Sequence, residues 1–200
     1  MNFLAHLYLS GDDDDLKIGN FIGDHVKGKA IFDLPDRVHK GVLLHRRIDF
    51  FTDTHAVVMQ SKERLRPVYH KYSPVITDIF YDHFLAANWN DYSKISLKDY
   101  AQNFYKLTEK YDAVLPERTK KMLSFMISGN WFLKYTTTKG IGEILSGMSR
   151  RTTFTSGMET AYMELEKNYL LYEKEFRIFF SDLENFSNEE INKIILSSNK

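Results

Sequence analysis

Histidine and aspartate residues recur at one-turn spacing within apolar stretches of this sequence. His45 and Asp49 lie four residues apart, and Asp53 continues the same stripe one turn further along a helix. The other members of the pattern are His6, Asp24, Asp78, Asp82 and His83. A carboxylate left unpaired in an apolar interior is costly, so these groups need either a bound cation or hydrogen-bond donors.

Two interpretations of this pattern are open from the spacing alone. Neutral imidazole nitrogens and carboxylate oxygens are suitable ligands for Mn²⁺, Fe²⁺, Zn²⁺ or Mg²⁺, and ligands on facing helices of a bundle can converge on one ion. Such an ion lowers the pKa of coordinated water and polarises a phosphoryl oxygen. The alternative, which the spacing by itself favours, is structural. His45 would then pair with Asp49, and the other aspartates would accept hydrogen bonds from arginine or tyrosine side chains.

The elements that position these residues are predicted to be helices. Glycine and proline are scarce, at 10 and 4 of 200 residues, and apolar residues mostly recur every three or four positions. The sequence therefore predicts an all-α fold, a compact multi-helix bundle. The predicted helices cover residues 2–9, 16–27, 35–52, 56–72, 73–89 and 96–112, with shorter pieces over 116–135 and 141–148.

A long C-terminal helix is the clearest element of the sequence. Its apolar residues follow a heptad-like spacing: Met158, Tyr162, Leu165, Tyr169, Tyr172, Phe176, Phe179 and Leu183. Ser156 and Glu159 have the spacing of a capping box at its start, and Ser187 and Glu190 repeat that spacing before a final short helix. We expect lengthwise packing on the bundle, with a dimer seam as the alternative. The chain is expected to form a single domain over residues 1–200, frayed after residue 188.

Composition narrows the function classes. Lys and Arg together number 27, as do Asp and Glu, so net charge does not indicate a nucleic-acid-binding protein. The absence of cysteine excludes thiolate metal sites and a cysteine nucleophile, and is compatible with a reducing compartment. The N-terminus lacks the features of a signal peptide, and no apolar run is long enough to span a membrane. We expect a cytoplasmic monomer or homodimer with no nucleic-acid or membrane partner.

Basic residues form a second pattern. They fall into clusters that can share one face of the fold: Arg46 and Arg47; Lys62, Arg64 and Arg66; Arg118, Lys120 and Lys121; Arg150 and Arg151. A joint patch would suit an acidic protein partner or a phosphate-bearing ligand. The alternative is a set of unrelated, solvated charges.

Several ordered blocks of the sequence resemble the bacterial acyl carrier protein phosphodiesterases. The blocks are residues 1–7, 19–24, 41–53, 81–89 and 147–151. Their order and spacing make the resemblance more specific than any single motif. It implies hydrolysis of the phosphodiester that joins 4′-phosphopantetheine to the serine of holo acyl carrier protein, giving apo carrier protein and free 4′-phosphopantetheine. It also implies a need for a divalent cation, usually manganese.

The resemblance further implies a fold and a set of site residues. The family is regarded as an atypical relative of the helical HD phosphohydrolases, so we expect an HD-phosphohydrolase-like bundle, although the adjacent pair in this chain is Asp82-His83. The expected metal ligands are His45, Asp82 and His83, followed by Asp24 and His6. The expected catalytic residues are Asp24, Asp49 and Asp78, as base or as groups that orient a ligand, and Arg46 or Arg47, which would neutralise phosphoryl charge.

Two other functions are open at this point. One is a non-catalytic helical module that binds carrier proteins or other acidic partners, with purely structural His–Asp pairs. The other is hydrolysis of a different phosphodiester, such as a nucleotide.

Overall fold

Helices account for the regular structure of residues 1–197, the part of the chain that this computed structural model describes. No strand occurs within that part, which confirms the all-α prediction. The helices are α1 Phe3–Tyr8, α2 Asp14–Ile22, α3 Asp36–Thr54, α4 Ala56–Tyr69, α5 Ser73–Ala87, α6 Trp89–Tyr92, α7 Leu97–Lys110, α8 Glu117–Ser128, α9 Trp131–Lys134, α10 Thr138–Ser149, α11 Ala161–Lys167 and α12 Tyr169–Ser197. Short 3₁₀ turns lie at Gly23–His25, Gly28–Asp33, His70–Tyr72, Asp112–Val114 and Met158–Thr160.

Side-chain caps fix where several helices begin. Asp13 accepts a hydrogen bond of 2.9 Å from the N–H of Leu16 at the start of α2. Ser96 caps α7 in the same way, because its hydroxyl oxygen accepts a hydrogen bond of 3.1 Å from the N–H of Asp99. These bonds satisfy amide groups that have no partner within the first helical turn. The predictions over 35–52, 73–89 and 96–112 are confirmed as α3, α5 and α7, with ends that differ by at most two residues.

A close contact between α2 and α3 depends on two glycines. A Cβ atom on Gly19 would lie 2.0 Å from the carbonyl oxygen of Val38, and one on Gly41 would lie 2.4 Å from that of Leu16. Only residues without a side chain allow the two backbones to approach this closely. The contact brings Asn20, which follows Gly19, against His45, one turn beyond Gly41. The helix pair therefore acts as the frame for the polar side chains described below.

The predicted helix over 16–27 ends earlier than expected, at Ile22. Gly23 begins a 3₁₀ turn, and a Cβ atom there would lie 2.3 Å from Cγ of His45. The ring of His45 therefore occupies the space that a side chain at residue 23 would fill. This turn carries Asp24 to the exposed side of His45.

The C-terminal region confirms one prediction and corrects two others. Tyr172, Phe176, Phe179 and Leu183 are fully buried, and α12 packs on α3, α4 and α5, which confirms lengthwise packing of the seam. The continuous helix from residue 156 is wrong, because the chain breaks between α11 and α12. At the break, Asn168 leaves helical geometry (φ −117°, ψ 30°), and its amide donates to Glu164 at 2.6 Å. Asparagine is a poor helix former, so its presence at this position is compatible with the break.

Neither predicted capping box forms. Glu159 accepts a hydrogen bond of 2.6 Å from the hydroxyl of Ser149, and Gly157 adopts a left-handed φ of 68°, which no helix continues through. At the second box, α12 continues through Ser187, and Glu190 instead accepts bonds from Arg47. Fraying after residue 188 stays a prediction, and residues 198–200 lie outside the described part of the chain.

No helix among the described residues is long and apolar enough to cross a membrane, as the hydropathy pattern predicts.

The glycine contact makes a stability prediction. Gly41→Ala should lower the free energy of unfolding by about 2 kcal/mol or more, because the added methyl group forces α2 and α3 apart. The measurement is urea denaturation followed by circular dichroism. Gly147→Ala is the matched control, since a Cβ atom there meets nothing nearer than a side-chain nitrogen at 3.9 Å. That variant should leave the free energy of unfolding unchanged or raise it by up to about 1 kcal/mol, because alanine has the higher helix propensity. Equal effects in the two variants would contradict the close contact.

Candidate metal centre

Asn20, a fully buried residue of α2, holds two histidine rings. Its side-chain oxygen accepts a hydrogen bond of 2.7 Å from Nδ1 of His6, and its backbone oxygen accepts one of 2.8 Å from Nδ1 of His45. The amide nitrogen of Asn20 donates to the carbonyl oxygen of His6 (2.8 Å) and to Oγ of Ser10 (2.9 Å). Since a carbonyl oxygen can only accept, these bonds fix the amide orientation and place a proton on Nδ1 of both histidines.

The two remaining ring nitrogens converge on Asp49. Nε2 of His6 lies 3.2 Å from Oδ1 of Asp49, and Nε2 of His45 lies 3.1 Å from Oδ2. The two rings are stacked, with centroids 4.1 Å apart and planes inclined by 22°. In the part of the chain that the structure describes, His6, His45 and Asp49 form the group of potential ligands whose atoms all lie within 4.8 Å of one another. His6 lies on α1, whereas His45 and Asp49 lie on α3, and the two helices are brought together because both pack against α2.

Asp24 completes the cluster on its solvent side. Its Oδ1 lies 3.4 Å from Nε2 of His45, and its side chain is 65% exposed, compared with 7% for His45. The hydrogen bond to His45 holds the pKa of the Asp24 carboxyl below its usual range. This carboxylate therefore stays ionised at the mouth of a buried cluster.

The electrostatics of the cluster require a positive charge between the rings and the carboxylates. With Nδ1 protonated, a neutral imidazole would direct its Nε2 lone pair at a carboxylate oxygen, which is repulsive. Burial opposes protonation of His45, but hydrogen bonds to Asp24 and Asp49 outweigh it and raise the pKa of His45 to about 9. Burial opposes ionisation of Asp49, but the two histidines hold its pKa well below the usual range.

The Nε2 atom of His6, unlike that of His45, has no hydrogen-bond partner among the described residues. Burial lowers the pKa of His6, and the neighbouring charge of His45 lowers it further, so this ring stays neutral. Its Nε2 atom lies near Asp49 but is not aligned for a hydrogen bond, and it is a buried polar atom without a hydrogen-bond partner in the described structure. An unpaired, buried imidazole lone pair beside a carboxylate is suited to a cation.

The donor set fits a divalent metal ion. Two Nε2 atoms and one carboxylate provide three protein ligands, and a second carboxylate, that of Asp24, lies 3.4 Å from Nε2 of His45 on the exposed side. Each imidazole donates its other ring N–H to Asn20, the outer-sphere bond that commonly orients metal-binding histidines. The predicted residues His6, Asp24, His45 and Asp49 are thus brought together.

The side chain of Asp82, a residue of α5, lies against the N-terminal end of α1. It is fully buried and accepts hydrogen bonds from the backbone N–H groups of Asn2 (3.2 Å), Leu4 (2.8 Å) and Ala5 (3.4 Å). Burial raises its pKa to about 7, opposed by the N-terminal charge and by these hydrogen bonds. In this position the carboxyl group anchors α1, and therefore His6, on α5. Its role as a metal ligand stays a prediction.

Two other predicted residues have partners away from the cluster. His83 donates from Nδ1 to the carbonyl oxygen of Tyr135 at 2.6 Å and accepts from the hydroxyl of Tyr169 at 3.0 Å. Asp78 lies 3.1 Å from the amino group of Met1. The metal-binding role of His83 and the catalytic role of Asp78 likewise stay predictions.

The two arginines of α3 have different environments. Arg47 forms a bidentate ion pair with Glu190 of α12, at 3.1 and 3.2 Å, so it fastens the C-terminal helix to α3. Arg46 is exposed and lies 3.5 Å from the carbonyl oxygen of Val26, in the segment that follows Asp24. Of the two, Arg46 is therefore the one available to a ligand near the cluster.

Sequence reasoning missed Asn20. It lies within one of the blocks that carry the resemblance, but an isolated amide has no spacing signature of its own. The signal that could have found it is its position between apolar neighbours, because a buried amide must find hydrogen-bond partners.

Comparison with known proteins identifies the family. The family model described as acyl carrier protein phosphodiesterase matches residues 1–183. The chain belongs to this family. A relative named acyl carrier protein phosphodiesterase from Photorhabdus laumondii is 31% identical, over 90% of this chain and 91% of the relative. A relative of the same name from Yersinia pestis is 29% identical, over 90% of this chain and 94% of the relative.

The family assignment confirms the resemblance drawn from the ordered blocks. No solved structure matches this chain. The expected likeness to HD phosphohydrolases therefore stays a prediction.

The cluster makes a prediction about metal binding. Chelator-treated protein should bind Mn²⁺ or Zn²⁺ in calorimetric titration and melt at a higher temperature in its presence, because the metal binds the folded state. Asp49→Asn should weaken binding by at least about tenfold, since it removes the charge shared by both rings. Asp182→Asn is the matched control, because this exposed aspartate also contacts a histidine, His55, at 3.2 Å. Unchanged affinity in Asp49→Asn would rule out this cluster as the binding site.

Proposed function

We propose that this protein hydrolyses the phosphodiester joining 4′-phosphopantetheine to the serine of holo acyl carrier protein, with a divalent cation held by His6, His45 and Asp49. One observation carries the proposal. In a chain of the acyl carrier protein phosphodiesterase family, two Nε2 atoms face one carboxylate while Asn20 holds both Nδ1 protons. The acyl carrier protein is the substrate that the relatives' name indicates.

The cation that we propose is Mn²⁺, with Mg²⁺, Fe²⁺ and Zn²⁺ as the other candidates for a nitrogen and carboxylate donor set. When bound, it would polarise a phosphoryl oxygen and lower the pKa of a water molecule. The outer-sphere role of Asn20 supports this, because it keeps both rings in the tautomer that a metal needs.

Three residues near the cation would have separate roles in the reaction. Asp24, ionised and mostly exposed, would accept a hydrogen bond from the attacking water on the open side of the cluster. Asp49 would keep the two imidazoles aligned. Arg46 would offset negative charge that builds up on the phosphoryl group. The oxygen of water forms a bond to phosphorus, the bond from phosphorus to the serine oxygen breaks, and the serine oxygen takes up a proton.

We also propose a cytoplasmic location. The chain has no cysteine, which suits a reducing compartment, and no described helix could span a membrane.

The test follows the mass of the substrate. Purified, metal-stripped protein is mixed with Mn²⁺ and several bacterial holo acyl carrier proteins, and intact mass is measured over time. We expect each true substrate to lose the mass of its phosphopantetheine arm. His45→Gln and Asp49→Asn should slow the loss by at least about a hundredfold while keeping the helical circular dichroism spectrum.

Asp182→Asn, whose His–Asp pair lies elsewhere on the surface, is the control and should keep full activity. No loss of mass with any carrier and metal would overturn the proposed function. Carrier binding without cleavage would indicate the non-catalytic binding module instead.

A further inference from the structure

A groove opens directly beside the cluster. It has a volume of about 520 Å³, and Asp24 and His25 line it at the edge of the metal centre. The groove lies between the start of α1, the turn that carries Asp24, helices α8 and α9, and the end of α10. Its size is in the usual range for small-molecule sites, about 300–1,000 Å³. A ligand in it could therefore touch the cluster with one end.

Three cations from distant parts of the sequence line this groove: Lys27, Arg118 and Arg151. None of them forms an ion pair with a carboxylate in the described part of the chain, although Asp24 lies in the same groove. Basic side chains without an ion pair occur elsewhere among the described residues, but these three come from distant parts of the sequence and converge on one concave site. Since the overall charge is balanced, three uncompensated cations around one concave site indicate an anionic ligand.

The cationic side of the groove is held in place by the surrounding structure. His25 contacts the hydroxyl of Thr119 at 2.7 Å, which ties the turn bearing Asp24 to the residue after Arg118. Arg151 donates to the carbonyl oxygen of Gly147 at 3.1 Å, and its guanidinium lies 5.9 Å from the ring centre of Trp131.

Asn2 and Thr152 also line the groove, and the remaining lining residues are apolar. They are Phe3, Met122, Trp131 and Met148. Methionine and aromatic side chains pack against flexible chains of varied shape. The groove therefore combines a cationic side with an apolar wall, and it fits an elongated ligand that has one anionic end.

We propose that this groove binds the phosphopantetheine arm of the substrate, with its phosphate at Lys27, Arg118 and Arg151 beside Asp24, and its uncharged chain along Trp131 and Met148. The proposal rests on the proposed function, which supplies the identity of the arm. It adds the residues that recognise the arm. Because the arm keeps its phosphate after hydrolysis, free 4′-phosphopantetheine occupies the same groove as a product inhibitor.

The experiment compares three probes on metal-loaded protein by calorimetric titration: 4′-phosphopantetheine, pantetheine without phosphate, and inorganic phosphate. We expect 4′-phosphopantetheine to bind at least about tenfold more tightly than either of the others, since it alone meets both sides of the groove. Binding should also change the fluorescence of Trp131, and Trp131→Phe should remove that change and leave only the signal of Trp89, the other tryptophan.

Charge variants identify the residues that matter. Arg118→Gln and Arg151→Gln should each weaken 4′-phosphopantetheine binding by at least about tenfold, as expected when one charge-assisted hydrogen bond is lost. The lysine variants should recover part of the affinity. Arg150→Gln is the matched control, because this neighbouring arginine lines a different groove. Unchanged melting temperatures should accompany all of these losses.

The outcomes separate the two proposals. Wild-type affinity for 4′-phosphopantetheine in both Arg118→Gln and Arg151→Gln would overturn the groove assignment, even if carrier proteins are cleaved normally. Equal affinity for pantetheine and 4′-phosphopantetheine would also overturn it. If the wild-type protein cleaves no carrier but binds 4′-phosphopantetheine in an arginine-dependent way, the groove stands and the proposed hydrolysis fails.

Discussion

The arrangement of this protein depends on one pair of hydrogen bonds, those that Asn20 accepts from Nδ1 of His6 and of His45. They decide which nitrogen of each ring carries the proton, and so which nitrogen faces Asp49. The bonds exist only because Gly19 and Gly41 let α2 and α3 approach within backbone contact. The glycine contact therefore positions the buried amide of Asn20, and this amide in turn fixes the tautomers of the two histidines.

Much of the fold could be predicted from the sequence, because helical periodicity and caps are local properties. The i, i+4 pair of His45 and Asp49 is of this kind, and so is the apolar face of α12. What failed were two predictions about where helices begin and end. The C-terminal helix is interrupted at Asn168, which the apolar spacing does not signal, and Glu190 pairs with the distant Arg47 instead of capping a helix.

The candidate site could be predicted only in part. Residue type and spacing do not distinguish a carboxylate that faces a ligand from one that anchors a helix. Asp49 lies between two histidines, whereas Asp82, which also has apolar neighbours in the sequence, caps α1. The meeting of His6 with His45 is a tertiary event that no local pattern encodes. The convergence of Lys27, Arg118 and Arg151 beside Asp24 is likewise a tertiary feature, because the three cations come from distant parts of the sequence.

Binding of one metal ion by His6 and His45 through Nε2 can be tested by spectroscopy. Pulsed electron paramagnetic resonance of Mn²⁺-loaded protein reports directly on nitrogen ligands. We expect two histidine nitrogen couplings in the wild-type protein, of which His6→Gln removes one and keeps the other. A spectrum with no nitrogen coupling, or one that His6→Gln leaves unchanged, would show that the two rings do not bind the ion together.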